Sequence, residues 1–260
     1  MDAGLSPHGL LDLSGARALV TGGSRGVGRA TALLLARAGA DVGIAYRSRE
    51  AEAGAVVEAI RASGRRGWAW AGDLSDPGAV EGLFDAFEDA FEGLDIVVIN
   101  HGIWPPEPVA IADMTDDQWR RTREVNLDSV FYVCRAAARR IRDHGRIVLV
   151  GSTAGQRGEA YHGDYAATKG AMISLVKGFS GELAGRDVTV NCVAPGWIDT
   201  DMAAAALEGG ARDRIEAGIP LGRVASPEDV AGPIVFLCST LARHVTGEIL
   251  NVNGGAVLVG

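Results

Sequence analysis

Short apolar runs of strand length alternate with longer stretches in which apolar residues recur at helical spacing, almost from one end of the chain to the other. This pattern predicts strands at 16–21, 41–46, 67–71, 94–100, 146–151, 188–194 and 248–251, and helices at 26–38, 50–63, 76–91, 116–141, 164–184 and 226–237. Runs such as 96–99 and 147–150 are apolar at every position, as expected of strands covered on both faces of a parallel sheet. Asp76-Pro77 and Ser226-Pro227-Glu228 each offer an N-cap followed by Pro at the first helical position. The alternation predicts a single-domain α/β fold over 15–260, a doubly wound (Rossmann-type) parallel seven-stranded sheet with helices on both faces. Residues 1–14 read as a loose N-terminal leader. The Ala- and Gly-rich stretch 200–220, between a strand and a helix, reads as a mobile lid, with a merely long connection as the alternative.

Composition adds constraints on partners. Against 25 basic residues stand 33 acidic ones, a net charge of −8, and such a surface repels nucleic acid. No apolar stretch approaches the ~18 residues of a membrane span, and no basic segment precedes an apolar block near the N-terminus. A cytoplasmic location is expected. Cys134, Cys192 and Cys238 are scattered in apolar surroundings and read as buried free thiols of a reducing compartment. His101, His144, His162 and His244 lack metal-site spacing, so no metal is expected. Gly is the outlier at 36 of 260 residues, about twice the usual ~7%, and it falls between the apolar runs, where turns and close backbone approach need it. The acidic run 85–92 reads as the solvated face of an amphipathic helix, and Trp68, Trp70 and Trp119 as core or helix-face residues.

The first chemistry appears where the first strand ends in Thr21-Gly22-Gly23-Ser24-Arg25-Gly26-Val27-Gly28 and runs straight into a helix. Glycines there permit a sharp turn and close approach of backbone to a pyrophosphate, and the helix N-terminus offers free N–H groups to the anion. In this strand-to-helix context the loop predicts a dinucleotide site. The end of the second strand reads Tyr46-Arg47-Ser48, with no acid placed for a ribose 2′-hydroxyl. Arg47, with Arg25 in the loop, suits a 2′-phosphate, so NADP(H) is favoured over NAD(H) and no carboxylate is expected within reach of Arg47.

Tyr165-Ala166-Ala167-Thr168-Lys169 places a phenol and an ammonium on one helical face, where a cation is expected to lower the phenol pKa. Such a phenol exchanges a proton with an alcohol/ketone pair. Ser152, after the fifth strand, offers a hydroxyl to the substrate oxygen. Trp104, Tyr161, His162 and Trp197 follow strand ends on the ligand side and are candidates for a substrate pocket, with ordinary packing or loop surface as the alternative.

Taken together, Thr21-Gly22, Gly26-Val27-Gly28, Asp73-Leu74, Asn100-His101-Gly102, Asn126, Ser152, Tyr165, Lys169 and Pro195-Gly196-Trp197-Ile198-Asp199-Thr200 resemble the short-chain dehydrogenase/reductase family over nearly the whole chain. The resemblance implies that Tyr165 is the general acid/base, that Lys169 holds the nicotinamide ribose, and that Ser152 orients the carbonyl. It implies a proton relay through water at Asn126, adenine beside Asp73 and Leu74, cofactor packing at Asn100 and Gly102, and nicotinamide contacts at Ile198 and Thr200 beside Pro195-Gly196. Leu221-Gly222-Arg223, Thr246-Gly247 and Asn253-Gly254-Gly255 further resemble 3-oxoacyl-[acyl-carrier-protein] reductases. Two features depart from that group: His101 stands within the usual Asn-Asn-Ala-Gly stretch, and Asp143 and Gly181 align with its basic docking positions.

An NADP(H)-dependent reductase of a 3-oxoacyl thioester is therefore expected, with a small ketone, sugar or polyketide-type carbonyl as the alternative substrate. A non-catalytic dinucleotide-binding regulator is the alternative of a different class. The family resemblance also implies a homotetramer, with the 164–184 helix and residues 256–260 at its interfaces.

Overall fold

In the computed structural model, which describes residues 11–259, the runs apolar on both faces form the middle of the sheet. β1 (Arg17–Thr21) pairs in parallel with β2 (Asp41–Tyr46) on one side and β4 (Leu94–Ile99) on the other. β3 (Gly67–Ala71), β5 (Ile141–Val150), β6 (Thr189–Pro195) and β7 (Ile249–Val252) complete an all-parallel sheet in the order β3-β2-β1-β4-β5-β6-β7.

Alternation along each strand divides the core in two. Leu19, Val97, Ile99, Ile147 and Leu149 point to the face covered by α3 (Pro77–Phe91), α5 (Ser129–Arg140) and α7 (Gly163–Leu183). Val20, Val42, Ile44, Val98 and Val148 point to the opposite face, covered by α1 (Gly26–Arg37), α2 (Glu50–Ala62) and α9 (Pro227–Cys238). In α3 the apolar stripe Phe84, Phe87 and Phe91 is fully buried, with Trp68 packed edge-on against Phe87. Asp85 and Glu88 on its outer side pair with Arg140, so the acidic run is a helix face as predicted. The chain leaves β1 and β4 toward opposite edges of the sheet, which opens a crevice at their carboxyl ends.

Three expectations are corrected. The predicted 116–141 helix is divided into α4 (Asp116–Arg123), a π-helical turn Glu124–Asp128, and α5. The Ser129 N–H reaches back to Glu124 O, five residues earlier, so the ladder holds an extra residue that an apolar period does not reveal. α5 stops at Arg140 because β5 begins at Ile141. Residues 142–144 are polar and exposed, and the β4–β5 register shifts between Leu94 and Ile96, so this early part of β5 carries no strand pattern. Of the leader, residues 1–10 lie outside the described residues. Leu13, however, is buried beneath α1, and its N–H donates to Ala38 O at 2.7 Å, so the chain is already packed before Gly15.

The 200–220 stretch folds into a 3₁₀ turn Ala204–Leu207 and α8 (Ala211–Ala217). Ala203, Leu207, Ile219 and Val224 give it a small core of its own. All three cysteines are buried and unpaired. Among the described residues, no helix is long and apolar enough to cross a membrane, and no cluster of His, Cys, Asp or Glu could hold a metal ion.

Candidate active site

A cleft of about 730 Å³ runs along the carboxyl ends of β1, β2, β4, β5 and β6. Gly22, Ser24, Arg25, Gly26 and Val27 line one end of it. Gly22 takes φ +65°, and a Cβ there would sit 3.0 Å from the His101 Cα, so only glycine suits the turn. Gly28 lies beneath the loop instead of lining the cleft: a Cβ on it would stand 2.2 Å from Gly22 O. α1 starts here with no side-chain cap and no acidic residue in its first turn, leaving its amide N–H groups and positive end for an anion. A pyrophosphate fits this cradle. Gly28→Ala is expected to force the loop outward, costing about 1–3 kcal/mol of stability and lowering dinucleotide affinity at least tenfold. Denaturant unfolding and fluorescence titration check both.

Arg47, Ser48, Asp73 and Leu74 line the same end of the cleft. The expectation that no carboxylate reaches Arg47 is corrected: Asp73 Oδ2 lies 3.7 Å from its Nη1. Partial burial raises the Asp73 pKa, but hydrogen bonds from Ser75 and the Arg47 charge outweigh it, so the group ionises below the usual carboxylate range. Arg25 is engaged as well, its Nη1 3.1 Å from Asp201 Oδ2.

Deeper in the cleft, α7 presents Tyr165 and Lys169 on one face, as their spacing predicts. Ser152 lines the cleft with Tyr165, close enough to pull on the phenol pKa, and its Oγ accepts from the N–H of Ala154, the first residue of the short α6 (Ala154–Arg157), at 3.1 Å. Lys169 is buried, and its Nζ donates to Val150 O at 2.8 Å. Burial lowers its pKa to about 8, so it is an ammonium at neutral pH. The expected depression of the phenol is not found. Burial pushes Tyr165 up; Ser152 pulls it back in part and Glu159 adds to the rise, to about 12. Lys169 Nζ stands 5.8 Å from the ring centroid and does not offset the desolvation.

Asn126 is fully buried in the π-turn, outside the cleft lining. Its Oδ1 accepts from Ile103 N–H and its Nδ2 donates to Ile103 O, both at 2.8 Å. The amide thus clamps the loop after β4. Asn100 Nδ2 donates to the carbonyls of Thr21 and Gly22, tying that loop to the glycine turn, and Gly102 lines the cleft beside it. Pro195, Gly196, Ile198 and Thr200 form the wall beyond β6.

Of the four aromatic candidates, Trp104 and Trp197 line the cleft, with ring centroids 6.0 Å apart at 82°. His162 is buried and stacks against Trp104 at 4.8 Å, outside the lining. Tyr161 is corrected to a surface residue: it takes φ +65° and is 61% exposed. The lining also includes Arg157, Arg214, Ile215 and Val257, which sequence reasoning missed because none belongs to a motif and only the fold brings them to the strand ends.

A family model described as "Enoyl-(Acyl carrier protein) reductase" matches residues 22–257. The 3-oxoacyl-[acyl-carrier-protein] reductase FabG of Vibrio cholerae is 39% identical over 251 residues, covering 96% of this chain and all of that protein. A short chain dehydrogenase from Burkholderia cenocepacia, solved in complex with NADP, is 40% identical with a TM-score of 0.88, covering 94% of this chain and 98% of that one. The chain belongs to the short-chain dehydrogenase/reductase family. The promiscuous reductase LugOII, which catalyses keto-reduction at C1 during lugdunomycin biosynthesis, is 33% identical with a TM-score of 0.88, over 95% of this chain and 99% of that one. As a short-chain dehydrogenase/reductase, this protein is an oxidoreductase of CH–OH and C=O groups that uses a nicotinamide dinucleotide.

Proposed function

We propose that this enzyme is an NADP(H)-dependent reductase of 3-oxoacyl thioesters. The observation that carries the reading is the pair of hydroxyl side chains, Ser152 and Tyr165, lining the cleft with the buried Lys169 ammonium, in a cleft whose other end is the glycine cradle. Bound along the cleft, the dinucleotide supplies a hydride to the carbonyl carbon. Ser152 then holds the carbonyl oxygen, and Tyr165 gives it a proton as negative charge develops there. Lys169, fixed by Val150 O, would hold the nicotinamide ribose, and Ile198 and Thr200, with Pro195-Gly196 in the lining, would hold the carboxamide. Asp73 and Leu74, at the other end of the lining, would hold the adenine. Asn126 acts by holding Ile103, and any water relay there starts from that clamp. The name of the matching family model speaks of enoyl reduction, which puts the proton on carbon. Ser152 and Tyr165, two hydroxyl side chains lining the same cleft, support carbonyl reduction instead.

Met202 and Ile215, from the 200–220 stretch, line the cleft and support reading it as the lid. A cytoplasmic homotetramer completes the proposal, with α7 and the exposed Leu258 at interfaces.

One observation favours a second substrate class. The perpendicular Trp104–Trp197 pair forms an aromatic corner that suits a ring-bearing ketone. NADPH oxidation with a short 3-oxoacyl thioester, its carrier-protein counterpart and cyclic ketones separates the readings. The thioester is expected to turn over, with little gain from the carrier. Gly181 provides no cation at the docking surface, and Asp143 already pairs with Arg186 at 2.9 Å. A large, salt-sensitive gain from the carrier contradicts the docking argument. Higher kcat/KM for the cyclic ketones selects the second reading, and no turnover of any carbonyl overturns both.

A further inference from the structure

His101 stands where the resembled family has alanine, and none of the proposed chemical steps uses it. Its two ring nitrogens are both engaged. Nε2 lies 2.7 Å from Ser129 Oγ, in the first turn of α5, and Nδ1 lies 2.8 Å from Thr21 Oγ1, at the end of β1. Ser129 Oγ donates its own proton to Val125 O at 2.6 Å. Toward the imidazole it can therefore only accept, which puts the ring proton on Nε2. Nδ1 of a neutral ring is then an acceptor, and Thr21 Oγ1 donates to it at 2.8 Å in preference to Val98 O at 3.3 Å. Thr21 Oγ1 in turn accepts the Asn100 N–H at 3.0 Å.

The bonds run in one direction: Asn100 N–H to Thr21 Oγ1, Thr21 O–H to His101 Nδ1, His101 Nε2–H to Ser129 Oγ, and Ser129 O–H to Val125 O. The chain begins beside the glycine turn and ends on the residue preceding Asn126, inside the π-turn. Thr21 and Ser129 are fully buried, while His101 is half-buried and reaches the cleft lining together with Ser129.

We propose that His101 is a positioning residue, a neutral Nε2–H imidazole that pins the π-turn to the end of β1 and so sets where Asn126 holds the Ile103 loop against the reacting end of the cleft. The inference rests on the reading of the site given above for its kinetic consequence, but not for the hydrogen-bond chain itself. A neutral ring suits its surroundings. Burial, then the Lys169 charge, lowers its pKa to about 4 against a smaller pull from Asp73.

The tests separate positioning from plain stability. In the purified enzyme, nitrogen NMR of the labelled histidines is expected to show His101, assigned by its loss in His101→Ala, as the neutral Nε2–H tautomer at pH 7. An Nδ1–H tautomer or an imidazolium overturns the directed chain. His101→Ala is expected to lower kcat about tenfold per folded molecule, the scale of one lost buried hydrogen bond, with carbonyl KM within about twofold. His101→Gln, whose amide supplies one donor and one acceptor, is expected to recover most of that loss. It should also remove any acid limb of kcat caused by ring protonation. Ser129→Ala combined with His101→Ala should cost little more than either alone, in kcat and in denaturant midpoint. A His101→Ala enzyme with kcat within about twofold of wild type, or fully additive losses with Ser129→Ala, overturns the proposal. Because the tautomer and the midpoints are read without turnover, they stand or fall separately from the carbonyl-reductase reading.

Discussion

Tyr165→Phe is expected to lower kcat for carbonyl reduction by about 10²- to 10⁴-fold, the usual contribution of a general acid, while dinucleotide affinity stays near wild type. The phenyl ring retains the packing of Tyr165 on α7, and only the hydroxyl is lost. Ser152 remains able to hold the carbonyl oxygen, but nothing is left beside it to deliver the proton. The elevated pKa makes the expectation directional in pH. With the phenol pushed to about 12 by burial, the proton donor persists across pH 6–9 in the unliganded enzyme, so reduction keeps its acid. Alcohol oxidation needs the phenolate, whose population rises tenfold per pH unit below the pKa, so the ratio of oxidation to reduction should climb toward alkaline pH. Steady-state kinetics in both directions, with fluorescence titration of the cofactor, checks this. A Tyr165→Phe enzyme that keeps more than about a tenth of wild-type kcat rules out the proton-transfer role.

Arg47→Asp is expected to erase or reverse a preference for NADPH over NADH. A charge-assisted hydrogen bond contributes roughly 1.5–3 kcal/mol, or about 10- to 150-fold in affinity. The Asp73 carboxylate, 3.7 Å from Arg47, narrows the wild-type preference to the lower end of that range, because a phosphate must compete with it. Both side chains are about half exposed, and such pairs contribute only about 0–1 kcal/mol, so the phosphate still wins. Asp73→Asn should therefore widen the preference, while Arg47→Ala should leave a residue of it through Arg25. KM ratios for the two cofactors measure all three variants. A wild type that prefers NADH, or an Arg47→Asp enzyme with an unchanged ratio, shows that the 2′-phosphate is not read here.

The sequence by itself determined what depends on neighbours along the chain. Runs apolar at every position, such as Ile96–Ile99, can only be buried on both faces, which requires helices on both sides of the sheet. The glycine loop was legible because the turn, the helix start and the phosphate cradle are made by consecutive residues. Tyr165 and Lys169 were legible because a helix places residues four apart on one face. What the tertiary structure decided lies between residues distant in sequence. Asp73 reaches Arg47 because β2 and β3 are neighbours that end side by side, and the thirteen-residue pattern of α2 between them carries no trace of it. The π-turn was hidden in a continuous helical period, and with it the Asn126 clamp on Ile103. His101 finds Thr21 80 positions away and Ser129 28 positions away, partners chosen by strand order and not by spacing. The direction of the Tyr165 shift also needed the fold: four-residue spacing brings a cation near, but burial opposes it, and desolvation outweighs a charge whose nitrogen is bonded to Val150 O.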